Sequence, residues 1–312
     1  MGISPSHTPV LYQEVLAGLQ IRPGGRYIDA TVGAGGHAQG ILEASAPDGR
    51  LLGIDADPTA ITLSREKLVA YGGRVTLVHG NFAELEAIAR QEGFCPADGI
   101  LLDLGLSSMQ LEAAQRGFSF AIDGPLDMRF DPTRPTTAAD LVNGLGVGEL
   151  ADILYRYGEE PRARAIAAAI VAHRPLHSTR ELATIVEQVV GKHGRIHPAT
   201  RTFQALRIVV NGELDALEAV LPQAVRVLAP GGMLAVIAFH SLEDRLVKQF
   251  FRQESRDCLC PPEQLVCTCG HRATLKVVTP RPIRPQAEEV KANPRSRSAR
   301  LRIARRLSVA GC

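Results

Sequence analysis

Three aspartates and a run of glycines carry the first chemical signal in this chain. Asp29 follows Tyr27-Ile28, the run Gly33-Ala34-Gly35-Gly36-His37 comes next, and Asp55 closes Leu51-Leu-Gly-Ile-Asp. Asp103 closes another apolar run, Gly99-Ile-Leu-Leu-Asp. Glycines allow a tight backbone turn and let a ligand lie against it without a Cβ in the way. A carboxylate some twenty residues past such a turn is placed to accept hydrogen bonds from ribose hydroxyls. The pattern outlines a nucleoside-cofactor site.

The kind of nucleoside follows from charge. Gly33-x-Gly35-x-x-Ala38 satisfies the dinucleotide fingerprint in its alanine variant. Asp29 argues against NAD, because a pyrophosphate seeks a helix N-terminus free of nearby negative charge. S-adenosylmethionine has no phosphate, and its ammonium and sulfonium suit a neighbouring carboxylate. A purely structural glycine turn and an NAD site stand as the alternatives.

The elements that must hold these residues alternate. Strands are predicted over residues 28–30, 51–55, 75–79 and 98–103, and helices over 12–19, 37–44, 58–71 and 83–91. Strand–helix alternation predicts a parallel doubly wound sheet, which binds ligands at the carboxyl ends of its strands. From about Leu111 to Gly212 only helical patterns appear, over 148–157, 161–173, 179–190 and 198–212. The chain then resumes with a helix over 214–228, a turn at Ala229-Pro-Gly-Gly232 and a buried strand over 233–239. A helix follows from His240, and late strands are expected at 275–279 and 299–305. The expected organisation is an α/β domain formed by residues 1–110 and 213–312, interrupted by an inserted all-helical domain at 111–212.

Hydrophobic residues make up 45% of the 312 and charged residues 22%, which are globular values. No apolar run approaches the roughly 20 residues of a membrane span, and no signal-peptide pattern opens the chain. Six cysteines without secretory signals suit a reducing compartment, so the expectation is a soluble cytoplasmic protein. From Arg272 onward the chain has eleven Lys/Arg and two Glu, a basic end suited to a polyanion. Cys258-x-Cys260 and Cys267-x-Cys269, with His271 close by, offer soft ligands. Their one-residue gaps are tighter than the two-to-four spacing of common structural zinc sites. The expectation there is a reduced loop with no metal. Cys95 and Cys312 carry no signal.

Longer motifs carry a resemblance. They are His7-Thr-Pro-Val-Leu11, Asp29-x-Thr31-x-Gly33-x-Gly-Gly-His37, Asp55-x-Asp57-Pro58, Asp103-Leu-Gly-x-Ser-Ser108 and Arg116-Gly-Phe-Ser-Phe120. They continue with Asp123-Gly-Pro-Leu-Asp-Met-Arg129, Tyr157-Gly-Glu-Glu, His197-Pro-Ala-Thr-Arg-Thr-Phe-Gln204, Phe239-His-Ser-Leu-Glu-Asp244 and Asn293-Pro-Arg-x-Arg-Ser298. Over nearly its full length the chain resembles the bacterial 16S ribosomal RNA cytosine-N4 methyltransferases, the RsmH/MraW family. The resemblance implies a class I, Rossmann-like S-adenosylmethionine methyltransferase sheet with the inserted helical domain recognising substrate. It implies that S-adenosylmethionine is held by Gly35, Gly36, His37, Asp55, Phe82, Asp103 and Gln110. It also implies methylation of the N4 amino group of a cytidine at the decoding site, within the small ribosomal subunit. A ribosome-assembly factor using S-adenosylmethionine only as a ligand, or a methyltransferase on a protein or small molecule, are the competing readings. Oligomeric state is left open, a dimer included.

Methyl transfer from a sulfonium is an in-line displacement whose leaving group needs no acid. Cytosine N4 is a poor nucleophile because its lone pair is delocalised into the ring, and alignment of reacting atoms supplies on the order of 7–11 kcal/mol. Asp103 is the first candidate to accept an N4 hydrogen bond, followed by Ser107 and Ser108, and then His240. The segment Asp103–Ser108 holds no aromatic residue to stack the base. Arg116, Phe118 and Phe120, the helical set His197, Arg201 and Gln204, and the arginines Arg295, Arg297, Arg300 and Arg302 are the candidates for RNA contact.

Overall fold

The computed structural model describes residues 9–191, 197–264 and 266–308; His7 and Thr8 of the first motif, and Cys312, lie outside them. Among the described residues seven strands form one sheet: β1 (Arg26–Asp29), β2 (Arg50–Asp55), β3 (Val75–His79), β4 (Ala97–Asp103), β5 (Leu228–Ala238), β6 (Leu275–Val277) and β7 (Arg300–Arg306). Their order is β3-β2-β1-β4-β5-β7-β6. Neighbours from β3 through β5 run parallel, whereas β7 is antiparallel to both β5 and β6. The parallel part is the doubly wound sheet that the strand–helix alternation predicts, and the strand order with its antiparallel β7 agrees with what the resemblance implies.

Why these segments are strands is visible in their burial. Parallel strands covered on both faces read as continuous apolar runs, and Leu51, Leu52, Ile54, Ile100, Leu101 and Leu102 are all fully buried. Alternate residues serve opposite faces. Ile28, Leu52, Ile100, Leu102, Leu234 and Val236 pack on one side with Leu85, Leu217, Val220 and Phe251. Tyr27, Leu51, Leu101, Ala235 and Ile237 pack on the other with Leu11, Val15, Ile41 and Ile61.

The Ala229-Pro-Gly-Gly232 segment, expected as a turn before the strand, lies inside β5. Ala97 pairs with Leu228 and Gly99 with Met233, so the intervening residues bulge out of register. Pro230 and Gly231 are exposed there, and Gly231 has a φ of 84°. The expected helix over residues 58–71 is an α-helix only to Leu68, and a 3-10 segment, Val69–Arg74, follows.

By its internal contacts the chain divides into two compact units, Met1–Gly105 with Ala216–Cys312, and Leu106–Asp215. The second is helical: Ser108–Glu112, Ala138–Gly144, Val147–Gly158, Ala163–Ala172, Thr179–Val190 and Thr200–Asn211. Its core gathers Leu150, Leu154, Ile166, Ile170, Leu182, Val186 and Leu206. The repeated four-residue spacing is that of helices showing one apolar face to a common centre. Reciprocal side-chain capping boxes start three of these helices, Ser107 with Gln110, Thr137 with Asp140 and Ser178 with Glu181. Among the described residues this unit holds no strand, only a single antiparallel bridge between Pro125 and Ser178.

Candidate active site

In the first unit the strand order reverses between β1 and β4, and a doubly wound sheet opens its ligand crevice at such a point. Asp29 ends β1 and Asp103 ends β4. Thr31 ties the two strand ends, because the Asp103 N–H donates to Thr31 Oγ1 at 2.6 Å. The Thr31 N–H donates to Asp29 Oδ1 at 3.2 Å.

The glycine turn leaves β1 with positive φ at Gly33 (52°) and Gly35 (78°), the left-handed region that glycine enters without strain. Gly35 is the N-cap of the helix Gly36–Ala44, so first-turn N–H groups without intrahelical partners face the crevice end of the sheet. Gly36 has a different reason to lack a side chain than ligand approach: a Cβ there would meet Pro9 Cγ at 2.5 Å. A Cβ on Gly33 would meet nothing nearer than the Thr31 carbonyl oxygen, at 3.9 Å.

Asp55 ends β2 and uses both oxygens on backbone. Oδ2 accepts from Gly33 N–H and Oδ1 from Asp57 N–H, each at 2.9 Å. Burial pushes its carboxyl up to about 6. Each oxygen keeps a second lone pair for a hydroxyl donor. Asp57, the other carboxylate of that motif, is a buried N-cap accepting from Thr59 N–H at 2.9 Å. Phe82 follows β3 and lies half-buried against the sheet core, where its ring can flank an adenine.

The electrostatics of the crevice point to a cation. Burial, opposed by the Thr31 hydrogen bond and helped by Asp55, draws Asp29 up to about 7. Burial, then Asp29, then Glu243 hold Asp103 well above the usual carboxylate range. Asp103 Oδ1 is buried and makes no hydrogen bond among the described residues. His37, at the start of the helix, lies 3.6 Å from Asp103 Oδ2. Burial lowers it to about 4, so Asp103 meets a neutral imidazole here rather than the cation of an ion pair. Acids that raise one another lose that penalty beside a positive ligand.

His240 does the work of a cap. Its Nδ1 accepts from the Glu243 N–H at 3.4 Å, and Glu243 Oε2 accepts from Phe239 N–H at 2.8 Å and His240 N–H at 3.2 Å. With Nδ1 accepting, the hydrogen-bond pattern assigns the proton to Nε2, 3.1 Å from Glu243 Oε1. In the second unit Ser107 and Gln110 form another capping box, with Gln110 N–H donating to Ser107 Oγ at 3.3 Å and Ser107 N–H to Gln110 Oε1 at 3.1 Å. Ser108 opens that helix, and its side chain is outside the described set.

Many residues expected to meet RNA are instead engaged within the fold. Arg302 donates to Asp244 through Nε at 2.7 Å and Nη2 at 3.2 Å, and Arg300 Nη1 donates to the same carboxylate at 3.0 Å. Arg302 is only 6% exposed, because its position on β7 faces the helix Ser241–Glu254. Within the helical unit, Arg116 Nη2 donates to the carbonyls of Arg129 and Phe130 at 2.8 Å, and Phe118 is buried. Phe120 stacks on His197 with ring centroids 4.2 Å apart, His197 Nε2 meets Glu187 Oε1 at 2.6 Å, and Gln204 Nε2 donates to the Tyr157 carbonyl at 2.9 Å. Arg201 and Arg297 are exposed.

A sequence model described as the MraW methylase family matches residues 4–307. The chain belongs to the MraW methylase family. It is 59% identical over 310 residues to a protein of Thermomicrobium roseum named ribosomal RNA small subunit methyltransferase H, covering 98% of this chain and 95% of that one. Proteins of the same name from Dehalococcoides mccartyi and Heliobacterium mobile are 54% and 49% identical. Each alignment covers 96% of this chain, with 86% of the first relative and 99% of the second. A family member needs a methyl donor, and the strand-end carboxyls, the open face of Gly33 and the unpartnered Asp103 oxygen are the features in this chain that fit a sulfonium-bearing nucleoside. No helix among the described residues is long and apolar enough to cross a membrane.

Proposed function

We propose that this methylase transfers a methyl group from S-adenosylmethionine to the N4 amino group of a cytidine in 16S ribosomal RNA, at the decoding site of the small subunit. The observation that carries the proposal is Asp103: a strand-end carboxyl, part-exposed at the crevice, whose buried Oδ1 lacks a partner among the described residues, in a chain of this family. S-adenosylmethionine supplies, when bound, an electrophilic methyl group on a positively charged sulfur. Asp29 and Asp103 balance that charge, Asp55 accepts from the ribose hydroxyls, Phe82 flanks the adenine, and backbone at Gly35, Gly36 and His37 takes the methionine portion. Gln110 completes the cofactor set.

Asp103 Oδ1 accepts an N4 hydrogen, which aligns the nitrogen and favours the positive charge that develops on it. Ser107 and Ser108 assist in holding the base, and His240 keeps the loop after β5 in place. The product ammonium is acidic enough to lose its proton to water. The helical unit selects the RNA, and the cell compartment is the cytoplasm, where ribosomes assemble.

The test is nucleoside mass spectrometry on small subunits lacking the modification, incubated with the protein and S-adenosylmethionine. New N4-methylcytidine is the expected result. No new methylcytidine with either subunits or naked ribosomal RNA overturns the reading and leaves an assembly factor that only binds the cofactor.

A further inference from the structure

Residues 255–274 connect the helix Ser241–Glu254 to β6. The base of this loop is fastened: Thr274 N–H donates to the Glu254 carbonyl at 2.9 Å, and Thr274 Oγ1 donates to Glu254 Oε2 at 2.6 Å. Beyond the base, none of the described residues is buried, and the loop's own apolar residues Leu259 and Val266 are 38% and 72% exposed. There is no core here to repay the ordering cost of about 1–2 kcal/mol per residue.

Four thiols nevertheless converge. The sulfurs of Cys258, Cys260, Cys267 and Cys269 all lie within 4.8 Å of one another. Cys258 is 3.4 Å from Cys267 and 3.8 Å from Cys269, and Cys267 is 3.6 Å from Cys269. Disulfides need sulfurs about 2.05 Å apart, so none of these pairs is bonded. A tetrahedron of sulfurs about 2.3 Å from a central ion has edges of about 3.8 Å. Three backbone amides also point at the sulfurs: Leu259 N–H to Cys269 Sγ at 3.3 Å, Cys260 N–H to Cys258 Sγ at 3.4 Å, and Thr268 N–H to Cys260 Sγ at 3.5 Å. Amide donors of this kind stabilise thiolate charge.

We propose that Cys258, Cys260, Cys267 and Cys269 bind one zinc ion in a structural tetrathiolate site that staples this loop. The one-residue gaps that favour a reduced loop in the sequence do not keep the sulfurs apart, because the two pairs close on each other across the tip. Four protein ligands leave no position for water, which is the mark of a structural rather than a catalytic zinc. Four Zn–S bonds replace four S–H bonds, the protons pass to solvent, and no electron moves. A loop without a core is where a metal contributes most to folding.

The full-length protein, purified under reducing conditions, is measured by elemental analysis and native mass spectrometry. One zinc per chain is expected, lost in Cys267→Ser with Cys269→Ser. The stripped wild-type chain, given cobalt alone, is expected to develop a thiolate-to-cobalt charge-transfer band and the red absorption of tetrahedral cobalt. Should the serine variant not fold, chelation of the wild-type protein followed by limited proteolysis replaces it, with new cleavage confined to residues 255–274 expected. Free thiols that retain no zinc and give no cobalt spectrum overturn the proposal. So do disulfides detected by mass, or iron with acid-labile sulfide in place of zinc.

Discussion

The Gly33 N–H donates to Asp55 Oδ2 at 2.9 Å, which makes the glycine turn after β1 and the end of β2 one hydrogen-bonded unit. Asp55 therefore has two duties, holding the turn and offering its remaining lone pairs to a ribose. Asp55→Ala leaves the amides of Gly33 and Asp57 without their acceptors, at about 1–3 kcal/mol for each that water does not reach. Asp55→Asn keeps one oxygen and restores part of that stability, but puts a donor where the hydroxyls expect an acceptor. The expected outcome is a lowered melting temperature for the alanine variant, a smaller loss for the asparagine variant, and at least tenfold weaker S-adenosylmethionine binding by calorimetry in both. An asparagine variant that binds normally removes the ribose role.

Asp29 sets a pH dependence. Its carboxyl ordinarily loses a proton near 3.8 and in the fold holds it up to about 7. A group that binds its proton more tightly when folded favours the fold below its ordinary value, and that contribution is lost as pH rises through about 7. The lowered His37 acts in the opposite sense: its contribution is complete above 6.5 and is lost as pH falls toward about 4. Asp29→Asn keeps an oxygen for Thr31, removes the first effect and, in the same direction, relieves part of the rise that Asp29 causes at Asp103. Urea denaturation should show the variant gaining on the wild type between pH 5 and 8, by about 3 kcal/mol from Asp29 itself, most of it below pH 7. A constant difference across that range would rule the titration out.

Asp103 has a different signature. Desolvation, then Asp29 and Glu243, disfavour the ionised form of Asp103 in the fold, so Asp103→Asn, which removes that charge, is expected to fold at least as stably as the wild type. Its amide nitrogen cannot accept a hydrogen bond from an amine, and turnover is expected to fall about 10²–10³-fold, in the range of losing one positioned polar contact in a transition state. Retained stability with lost turnover, measured by denaturation and single-turnover methylation, separates this role from a structural one. Unchanged turnover strips Asp103 of it.

What could be read from the sequence, and what could not, divides along the distance between partners. Strands β2 and β4 were legible as apolar stretches closing on an aspartate, β1 as the short pair Tyr27-Ile28 ahead of Asp29, and β3 as a β-branched run ahead of Gly80. The helix Thr179–Val190 was legible because Ser178 and Glu181 make a local capping box. The helices Ser108–Glu112 and Ala138–Gly144 are too short to display a period. Ala229–Gly232 has the composition of a turn, and only the pairing of β4 on both sides of it makes it a bulge. Arg300 and Arg302 looked like phosphate ligands because their partner, Asp244, lies more than fifty positions away. His240 illustrates the converse. Its capping partner Glu243 stands three residues on, a spacing that marks a cap as plainly as a catalytic pair.

The Asp244–Arg302 pair makes a stability prediction. The arginine side chain is 7% exposed and the aspartate 11%, and the arginine partners hold Asp244 below the usual carboxylate range despite its burial. Asp244→Ala leaves a guanidinium buried without its counter-charge, which costs about 3–5 kcal/mol. Arg302→Met, which removes the charge and keeps the volume, should cost less once combined with Asp244→Ala than the two single losses added together. Denaturation of the four chains of this double-mutant cycle measures the coupling, and additive losses would show that the pair contributes nothing beyond its members.

With Arg300 and Arg302 committed to Asp244, the basic end has fewer cations for RNA than its composition suggests. Arg297 is exposed, in the 3-10 segment Pro294–Ser298 ahead of β7. A guanidinium held at the surface contributes to phosphate binding through release of counterions, which appears as a slope of affinity against salt rather than as sequence preference. Arg297→Ala should weaken binding to small-subunit RNA at low salt and reduce that slope by about one, with little change near 1 M salt. Arg302→Ala tests the same charge count from the other side. It removes an equal formal charge, but one already neutralised inside the protein, so its salt slope should match the wild type even as its melting temperature falls. If both variants shift the slope alike, buried and exposed arginines are acting equivalently, and the assignment of Arg302 to the fold alone is wrong.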